Sequence, residues 1–213
     1  MTPTGEALRL ALHDLYRNSW RLVPLNAAVG ALLVAAAVAF ATARGAVVLV
    51  VLTGPLLAAL AHCAVTLVRT GSLAFADALE GLRMHWRRGL ALGAAGTATA
   101  LLGVVAVRAY SHSPVLWPLA FLTVYLLLLL GLVQLVLWTL AIAEPGRPLR
   151  NCARDAAALV AHRPGSALLL GLALLCVNAA GIAVAVMPFL TVTIAYSLVA
   201  AAHFALPAPE DAS

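Results

Sequence analysis

Long apolar stretches, separated by short segments that carry Arg, dominate the pattern of this chain. Because a bilayer core of about 30 Å needs about 20 apolar residues in a helix, each long stretch predicts a membrane span. Six segments qualify: roughly 21–43, 46–68, 89–107, 115–142, 165–185 and 188–205. Only Arg44 and Gly45 separate the first two, and the last two meet near Met187 and Pro188, so both pairs are predicted to form tight hairpins.

A short segment with the 3.6-residue period of a helix precedes each pair of spans. The apolar stripes are Leu8, Leu12 and Leu15 in the first segment, Phe75, Leu79, Leu82 and Trp86 in the second, and Leu149, Ala153, Ala156 and Val160 in the third. Arg occupies the opposite face of each segment, as in a helix that lies in the membrane surface. The chain is therefore predicted to consist of three units, 6–68, 72–142 and 148–205, each an amphipathic helix, a break and a hairpin.

These elements predict an all-α polytopic membrane protein with six transmembrane helices and three amphipathic helices on the cytoplasmic side. The composition agrees, because 64% of the 213 residues are hydrophobic and only 10% are charged, whereas about a quarter are charged in soluble domains. We expect one membrane domain over residues 1–205 and a disordered cytoplasmic tail over 206–213.

The distribution of Arg predicts the orientation. All 13 basic residues are Arg, and only Arg44 and Arg108 lie on the side opposite the three amphipathic segments. Because cytoplasmic loops carry the excess of basic residues, both termini are predicted to be cytoplasmic and the protein to reside in the cell membrane. The basic character of the chain is thus explained by the lipid bilayer as partner, and we predict no nucleic acid.

Recognisable catalytic and cofactor motifs are missing from the sequence. It contains no Walker A loop, Rossmann fingerprint, HExxH or GxSxG, and its three Cys are scattered. No charged residue falls in the middle of a span, although ion-coupled transporters usually carry one. We therefore predict no enzyme, no cofactor and no metal site. Gly89 and Gly93, spaced as GxxxG, are predicted to serve helix packing.

Two sets of residues are candidates for function. The first is a partner or lipid-headgroup surface at the cytoplasmic edge, made of Trp20, Arg21, His85, Trp86, Arg87, Arg88, His162 and Arg163. The second is a polar path inside the membrane, made of Asn26, His62, Gln134 and Asn178. Both sets also have structural interpretations, since interfacial Trp anchors spans and intramembrane amides often bond a neighbouring helix.

Several runs of the sequence resemble the YesL family of bacterial integral membrane proteins, whose molecular function is uncharacterised. The runs that carry the resemblance are Trp20–Asn26, Gly54–Leu60, Arg69–Gly89, Tyr125–Gly131 and Pro148–Pro164. Together they cover roughly residues 10–205. The fourth span ends in Thr139–Glu144, where family members often have a Pro. The resemblance implies an accessory protein associated with carbohydrate uptake systems.

Two functions remain open at this point. The first is an accessory or scaffold protein whose cytoplasmic-surface helices bind a transporter subunit or a second copy of the chain. The alternative is a transporter or channel for a small neutral solute. A continuous polar cavity joining Asn26, His62, Gln134 and Asn178 would favour the alternative.

Overall fold

A computed structural model describes residues 4–42, 47–185 and 192–206. The described residues are helical almost throughout and include no strand, which confirms the predicted all-α class. The helices are α1 (Thr4–Arg17), α2 (Ser19–Thr42), α3 (Val47–Leu52), α4 (Gly54–Thr70), α5 (Phe75–Ser111), α6 (Trp117–Ala143), α7 (Leu149–His162), α8 (Pro164–Ala185) and α9 (Ile194–Ala205). The predicted turns at 44–45 and 187–188 and the tail beyond Leu206 lie outside the described residues.

Four helical stretches within the described residues are long and apolar enough to cross a bilayer. They are Val50–Thr70, Phe75–Ser111, Pro114–Ala143 and Pro164–Gly181. They indicate a membrane protein, because stretches of this length and apolarity match the thickness of the hydrocarbon core. The apolar helix α9 has 12 residues and is shorter than that thickness requires.

The second amphipathic segment and the third predicted span form one helix. A break was predicted between them, but α5 continues for 37 residues from Phe75 to Ser111. At 1.5 Å per residue it is about 55 Å long, so it exceeds the bilayer core by about 25 Å. The prediction of a break was wrong, because the segment contains no Pro and because close packing against α4 keeps its glycines helical. The breaks in the other two units exist, at Asn18 and Arg163.

The second predicted span contains a helical stretch from Val50 to Thr70 with a local turn at Thr53. Helix α3 ends at Leu52, Thr53 forms a turn, and α4 begins at Gly54 with Pro55 near its start. Proline has no N–H to continue the preceding helix, and it fits the first turn of a new one. The Thr53 hydroxyl donates a 2.6 Å hydrogen bond to the carbonyl of Val50, so the turn satisfies this buried side chain locally.

The amphipathic helices α1 and α7 pack against other helices of the chain. Ala7, Ala11 and Leu15 of α1 are buried against α9, and the Tyr196 hydroxyl donates to the carbonyl of Leu8 at 3.2 Å. In α7 the buried face contacts α6 and includes Ala156 and Val160 of the predicted stripe. In α1, however, Leu12 is exposed, because the alanines rather than the second leucine face α9.

Helices α4 and α5 approach closely through glycine. A Cβ atom added to Gly89 would lie 2.8 Å from the carbonyl oxygen of Gly54 and 2.8 Å from the Cα of Pro55. A Cβ on Gly93 would lie 3.1 Å from the Cα of Gly54. Small residues at such spacing allow two backbones to come together, so the packing role predicted for Gly89 and Gly93 is confirmed.

Buried side chains concentrate toward one end of the helix bundle. Nearly every residue of α9 is buried, as are most residues of α4 and the last third of α6. Toward the other end, α5 and α6 expose large apolar side chains such as Leu102, Val105 and Phe121. Such surface is typical of helices in contact with hydrocarbon, where burial against protein is not required.

Candidate functional site

An aromatic and arginine cluster forms where α2 begins beside α5. The Trp20 and Phe75 rings meet edge to face with their centroids 5.3 Å apart. The Arg21 guanidinium lies over the Trp20 ring, with its Cζ 4.5 Å from the ring centroid, and donates a hydrogen bond to the Leu73 carbonyl. A cation over an indole face is attracted by the ring quadrupole, so Arg21 fixes the exposed Trp20 side chain in place.

A stripe of exposed apolar side chains extends this cluster along α5. Phe75, Leu79 and Trp86 are 55%, 52% and 46% exposed, and their spacing puts them on one helix face over about 16 Å. The Arg87 guanidinium lies 5.2 Å from the Trp86 ring centroid. We call Trp20, Arg21, Phe75, Leu79, Trp86 and Arg87 the aromatic–arginine stripe.

Arg88 binds the end of α6 and is not part of that stripe. Its guanidinium donates to the carbonyls of Ala141 at 2.7 Å, Glu144 at 3.1 Å and Arg147 at 2.7 Å, and also to that of Pro145. Arg69 donates to the carbonyl of Ala143 at 3.2 Å. The last carbonyls of a helix have no partner within it and carry partial negative charge. Both arginines therefore stabilise the carboxyl end of α6.

His85 was predicted to belong to the partner or lipid-headgroup surface, and the structure corrects this. The side chain is 1% exposed, so it cannot contact a headgroup or a partner there. Its ring lies 5.2 Å from that of His62, and its Nδ1 has no hydrogen-bond partner among the described residues. The sequence signal that was missed is Gly81, where a Cβ would lie 2.7 Å from the Cβ of His62. Glycine at this position lets α4 and α5 close over both imidazoles.

His162 and Arg163 lie apart, at the junction of α7 and α8. His162 Nδ1 is 2.7 Å from the carbonyl of Ala158, a contact within its own helix, and the side chain is exposed. Arg163 is also exposed and stands at the break between the two helices. The Arg163 carbonyl accepts a 2.9 Å hydrogen bond from the backbone N–H of Ala167 in α8, so these contacts lie in α7 and α8 and do not extend the aromatic–arginine stripe.

An ion-pair cluster joins the α6–α7 loop to α7. Arg147 contacts the Glu144 carboxylate at 3.1 Å and the Asp155 carboxylate at 2.6 Å. The hydrogen bond that Arg147 donates to Glu144, followed by the charge of Asp155, raises the pKa of the Arg147 guanidinium. Exposed pairs of this kind contribute little to stability, so we assign the cluster to ordering of the loop.

The four residues of the predicted polar path have separate partners. Asn26 is fully buried, and its Oδ1 accepts a 2.6 Å hydrogen bond from the backbone N–H of Ala195. His62 faces His85. Gln134 donates to the carbonyl of Leu92 at 3.0 Å, and Asn178 donates to the hydroxyl of Ser197 at 2.9 Å. Helix-to-helix hydrogen bonding, the structural interpretation of these residues, accounts for the contacts of all three amides.

Gln134 and Asn178 nevertheless line one cavity, which the sequence pattern did not reveal. It has a volume of about 470 Å³ and lies among α4, α6, α8 and α9. Its lining is mainly leucine, with Gly131, Gly171 and Ser197 among the other members. Asn26 and His62 do not line it. The cavity therefore joins two members of the predicted path and leaves out the other two.

Within the described residues, no three His, Cys, Asp or Glu side chains come together as a group that could hold a metal ion. The arrangement is that of an all-helical membrane protein with an exposed aromatic–arginine stripe and a separate leucine-lined cavity. Compared with protein-family models, with characterised proteins and with solved structures, this chain matches none.

Proposed function

We propose that this protein is an accessory or scaffold protein of the cell membrane, without enzymatic activity, that binds another membrane protein through the aromatic–arginine stripe. The observation that carries the proposal is the exposure of Phe75, Leu79 and Trp86 beside Arg87. Aromatic and Arg side chains supply most of the binding energy in protein interfaces. The contacts of Trp20 with Phe75 and of Arg21 with Leu73 hold the stripe in place before a partner binds, which lowers the entropic cost of binding.

The proposed topology has six spans, with the three units arranged as the sequence predicts and both termini in the cytoplasm. Eleven of the 13 Arg residues then lie on the cytoplasmic side, in accord with the usual charge bias. In this arrangement α2 and α9 cross the membrane together with the four longer apolar stretches. The aromatic–arginine stripe lies at the cytoplasmic boundary, where amphipathic aromatic side chains are favoured.

The proposed partner is a subunit of a membrane transporter for carbohydrate. The support for this class is the resemblance to the YesL family in Trp20–Asn26 and Arg69–Gly89, two runs that contribute residues to the stripe. A second copy of the chain is the other partner that the same surface would suit.

Site-specific photo-crosslinking in native membranes tests the proposal. We expect p-benzoyl-phenylalanine in place of Leu79 to give a discrete adduct with a transporter subunit, and the same amino acid in place of the exposed Ala157 on α7 to give none. Trp86→Ala should weaken the adduct at least about tenfold, as loss of an interface hot spot does. Trp117→Ala, which removes an exposed Trp outside the stripe, should leave it unchanged. Labelling of lipid alone at position 79 would contradict the proposal, and a homodimeric adduct would identify a second copy as the partner.

Transport of a small neutral solute is the second candidate, favoured by the cavity that Gln134 and Asn178 share. Its lining is dominated by leucine, which is a poor match for a hydrated sugar or polyol. Flux of such solutes into liposomes that contain the purified protein would support it, and Gln134→Leu should then reduce the flux. Equal flux with and without the protein would eliminate this candidate.

A further inference from the structure

The leucine-lined cavity continues into a second one and forms a groove along α6. The second cavity has a volume of about 250 Å³ and shares Leu128, Leu132, Gly171 and Leu175 with the first. Together the two extend along α6 from Tyr125 to Trp138, about 20 Å at 1.5 Å per residue. Leu128 and Leu175 are about half exposed, so the groove is open along its side.

Two glycines keep the groove open. A Cβ on Gly131 would meet nothing within 4 Å, and one on Gly171 would meet only the Leu132 side chain, at 3.6 Å or more. Neither glycine has a positive φ. A helical Gly lowers stability by roughly 1 kcal/mol relative to Ala unless a close approach compensates for it. No helix approaches Gly131 or Gly171 as closely as α4 approaches Gly89. We therefore attribute these two glycines to the open space that they leave in the groove.

Two residues that line this region, Gln134 and Asn178, have amide oxygens that find no donor in the described part of the chain. Gln134 uses its Nε2 to donate to Leu92, and Asn178 uses its Nδ2 to donate to Leu174 and Ser197. The Gln134 Oε1 and the Asn178 Oδ1 accept no hydrogen bond from the residues that the structure describes. Water is scarce at membrane depth, and an unsatisfied polar group there is costly. A bound molecule with an O–H group would satisfy either oxygen.

We propose that the groove binds a single long hydrocarbon chain that carries a hydroxyl group, such as a long-chain alcohol. A hydrocarbon chain matches the leucine lining and the length, since one leaflet of the bilayer core is about 15 Å thick. An apolar helix of a partner matches less well, because its backbone N–H groups already bond within the helix and would leave both amide oxygens without a donor. The hydroxyl group pairs with Gln134 or Asn178.

Photolabelling of the purified full-length protein in nanodiscs tests this inference. The probe is a sixteen-carbon alcohol with a diazirine in its chain, and the matched probe is its methyl ether, which lacks the O–H donor. We expect the alcohol to label peptides within 125–138 and 168–178, and excess unlabelled hexadecanol to prevent the labelling. We expect the ether to label the same peptides about threefold to thirtyfold less, the range for one hydrogen bond inside a membrane.

Two kinds of variant separate the groove from its polar groups. The double substitution Gly131→Leu and Gly171→Leu should fill the groove and reduce labelling by both probes at least about tenfold, as loss of a hydrocarbon site should. Gly165→Leu is the control, because Gly165 also has open space around it but does not line the groove. Gln134→Leu combined with Asn178→Leu should bring the alcohol-to-ether ratio close to one.

Each contrary result bears on a definite part of the inference. Equal labelling by alcohol and ether in the wild-type protein would overturn the role of the hydroxyl group. Labelling that persists after the glycines are filled would overturn the site. Loss of labelling when the phospholipid content of the nanodisc is raised would mean that ordinary acyl chains occupy the groove, and would also overturn it. The competition by hexadecanol needs no variant, so the inference stays testable even if a substitution impairs folding.

Discussion

Single side chains hold the helix ends of this protein, and Arg88 is the clearest case. It donates to four carbonyls, that of Ala141 in the last turn of α6 and those of Glu144, Pro145 and Arg147 just after it. We expect Arg88→Ala to lower the free energy of unfolding by about 1.5–3 kcal/mol, since hydrogen bonds to a charged group are lost and carbonyls are left unpaired. Arg87→Ala, which removes only the contact with the Trp86 ring, should cost less than about 1 kcal/mol. Unfolding by SDS titration in mixed micelles measures both free energies. Equal losses in the two variants would refute the role of Arg88 in stabilising the carboxyl end of α6.

Asn26 provides a second test at the residue scale. Its side chain reaches from α2 to α9, where its Oδ1 accepts a 2.6 Å hydrogen bond from the backbone N–H of Ala195. Asn26→Leu should therefore lower the free energy of unfolding by about 1–3 kcal/mol. Asn151→Leu on the exposed face of α7 should change it by less than about 0.5 kcal/mol. Comparable losses in the two variants would show that the buried hydrogen bond contributes nothing.

The sequence identifies which polar residues lie in apolar stretches, but it does not identify the residues that they contact. Asn26, Gln134 and Asn178 stood out as polar residues in apolar stretches, and helix-to-helix bonding was one of their two interpretations. Nothing local assigns Asn26 to Ala195, because 169 residues separate them. His85 was placed on a surface because it lies just before the third predicted span, beside Trp86, but Gly81 and His62 enclose it. Burial depends on the opposite helix, which periodicity does not identify.

At the scale of elements, substitution by Ala of two glycines on neighbouring helices should change the free energy of unfolding in opposite directions. Gly89→Ala places a Cβ against the α4 backbone, which is rigid, and should lower the free energy of unfolding by about 1–3 kcal/mol. Gly131→Ala adds a methyl group in open space and should raise it by about 0.5–1 kcal/mol. The same SDS titration distinguishes them. Destabilisation by Gly131→Ala similar to that by Gly89→Ala would mean that both glycines serve packing.

Local sequence signals predicted some of the helix boundaries but not all of them. Pro164 begins α8 after the break at Arg163, and the breaks of the first and third units follow the sequence pattern. Pro55 was an equally local signal for the turn at Thr53, which the apolar pattern of the second span did not predict. The continuity of α5 was missed for a different reason. The repeated pattern of the three units predicted a break after each amphipathic segment, whereas α5 continues from that segment into the apolar stretch without one.

At the scale of the whole molecule, burial and exposure divide the protein into two parts. The packed end contains α9, most of α4 and the cap of α6, and α1 and α7 add their apolar faces to it. The other end exposes leucine, valine and phenylalanine. The aromatic–arginine stripe lies on α2 and α5, whereas the groove lies along α6 and α8, with α4 and α9 lining part of it. A protein interface and a hydrocarbon site thus occupy different parts of the bundle, and variants in one should leave the other intact.

The proposed topology makes the last prediction. In a background with Cys63→Ala, Cys152→Ala and Cys176→Ala, single cysteines report which side of the membrane each position faces. A membrane-impermeant maleimide should label Val115→Cys and Gly45→Cys in intact cells, because both follow an odd number of proposed spans. Ser72→Cys and Glu6→Cys should react only after the membrane is permeabilised, and the cysteine-free protein should not react at all. Ser72 and Val115 flank α5, so labelling of both from one side would contradict a crossing by that helix.

Gly45→Cys tests the first hairpin in the same way. If it reacts only after permeabilisation while Val115→Cys reacts in intact cells, α2 does not cross the membrane and six spans are excluded. If all four positions exchange their reactivity, the spans stand, and the arginine bias orients the chain in the opposite sense to the one proposed.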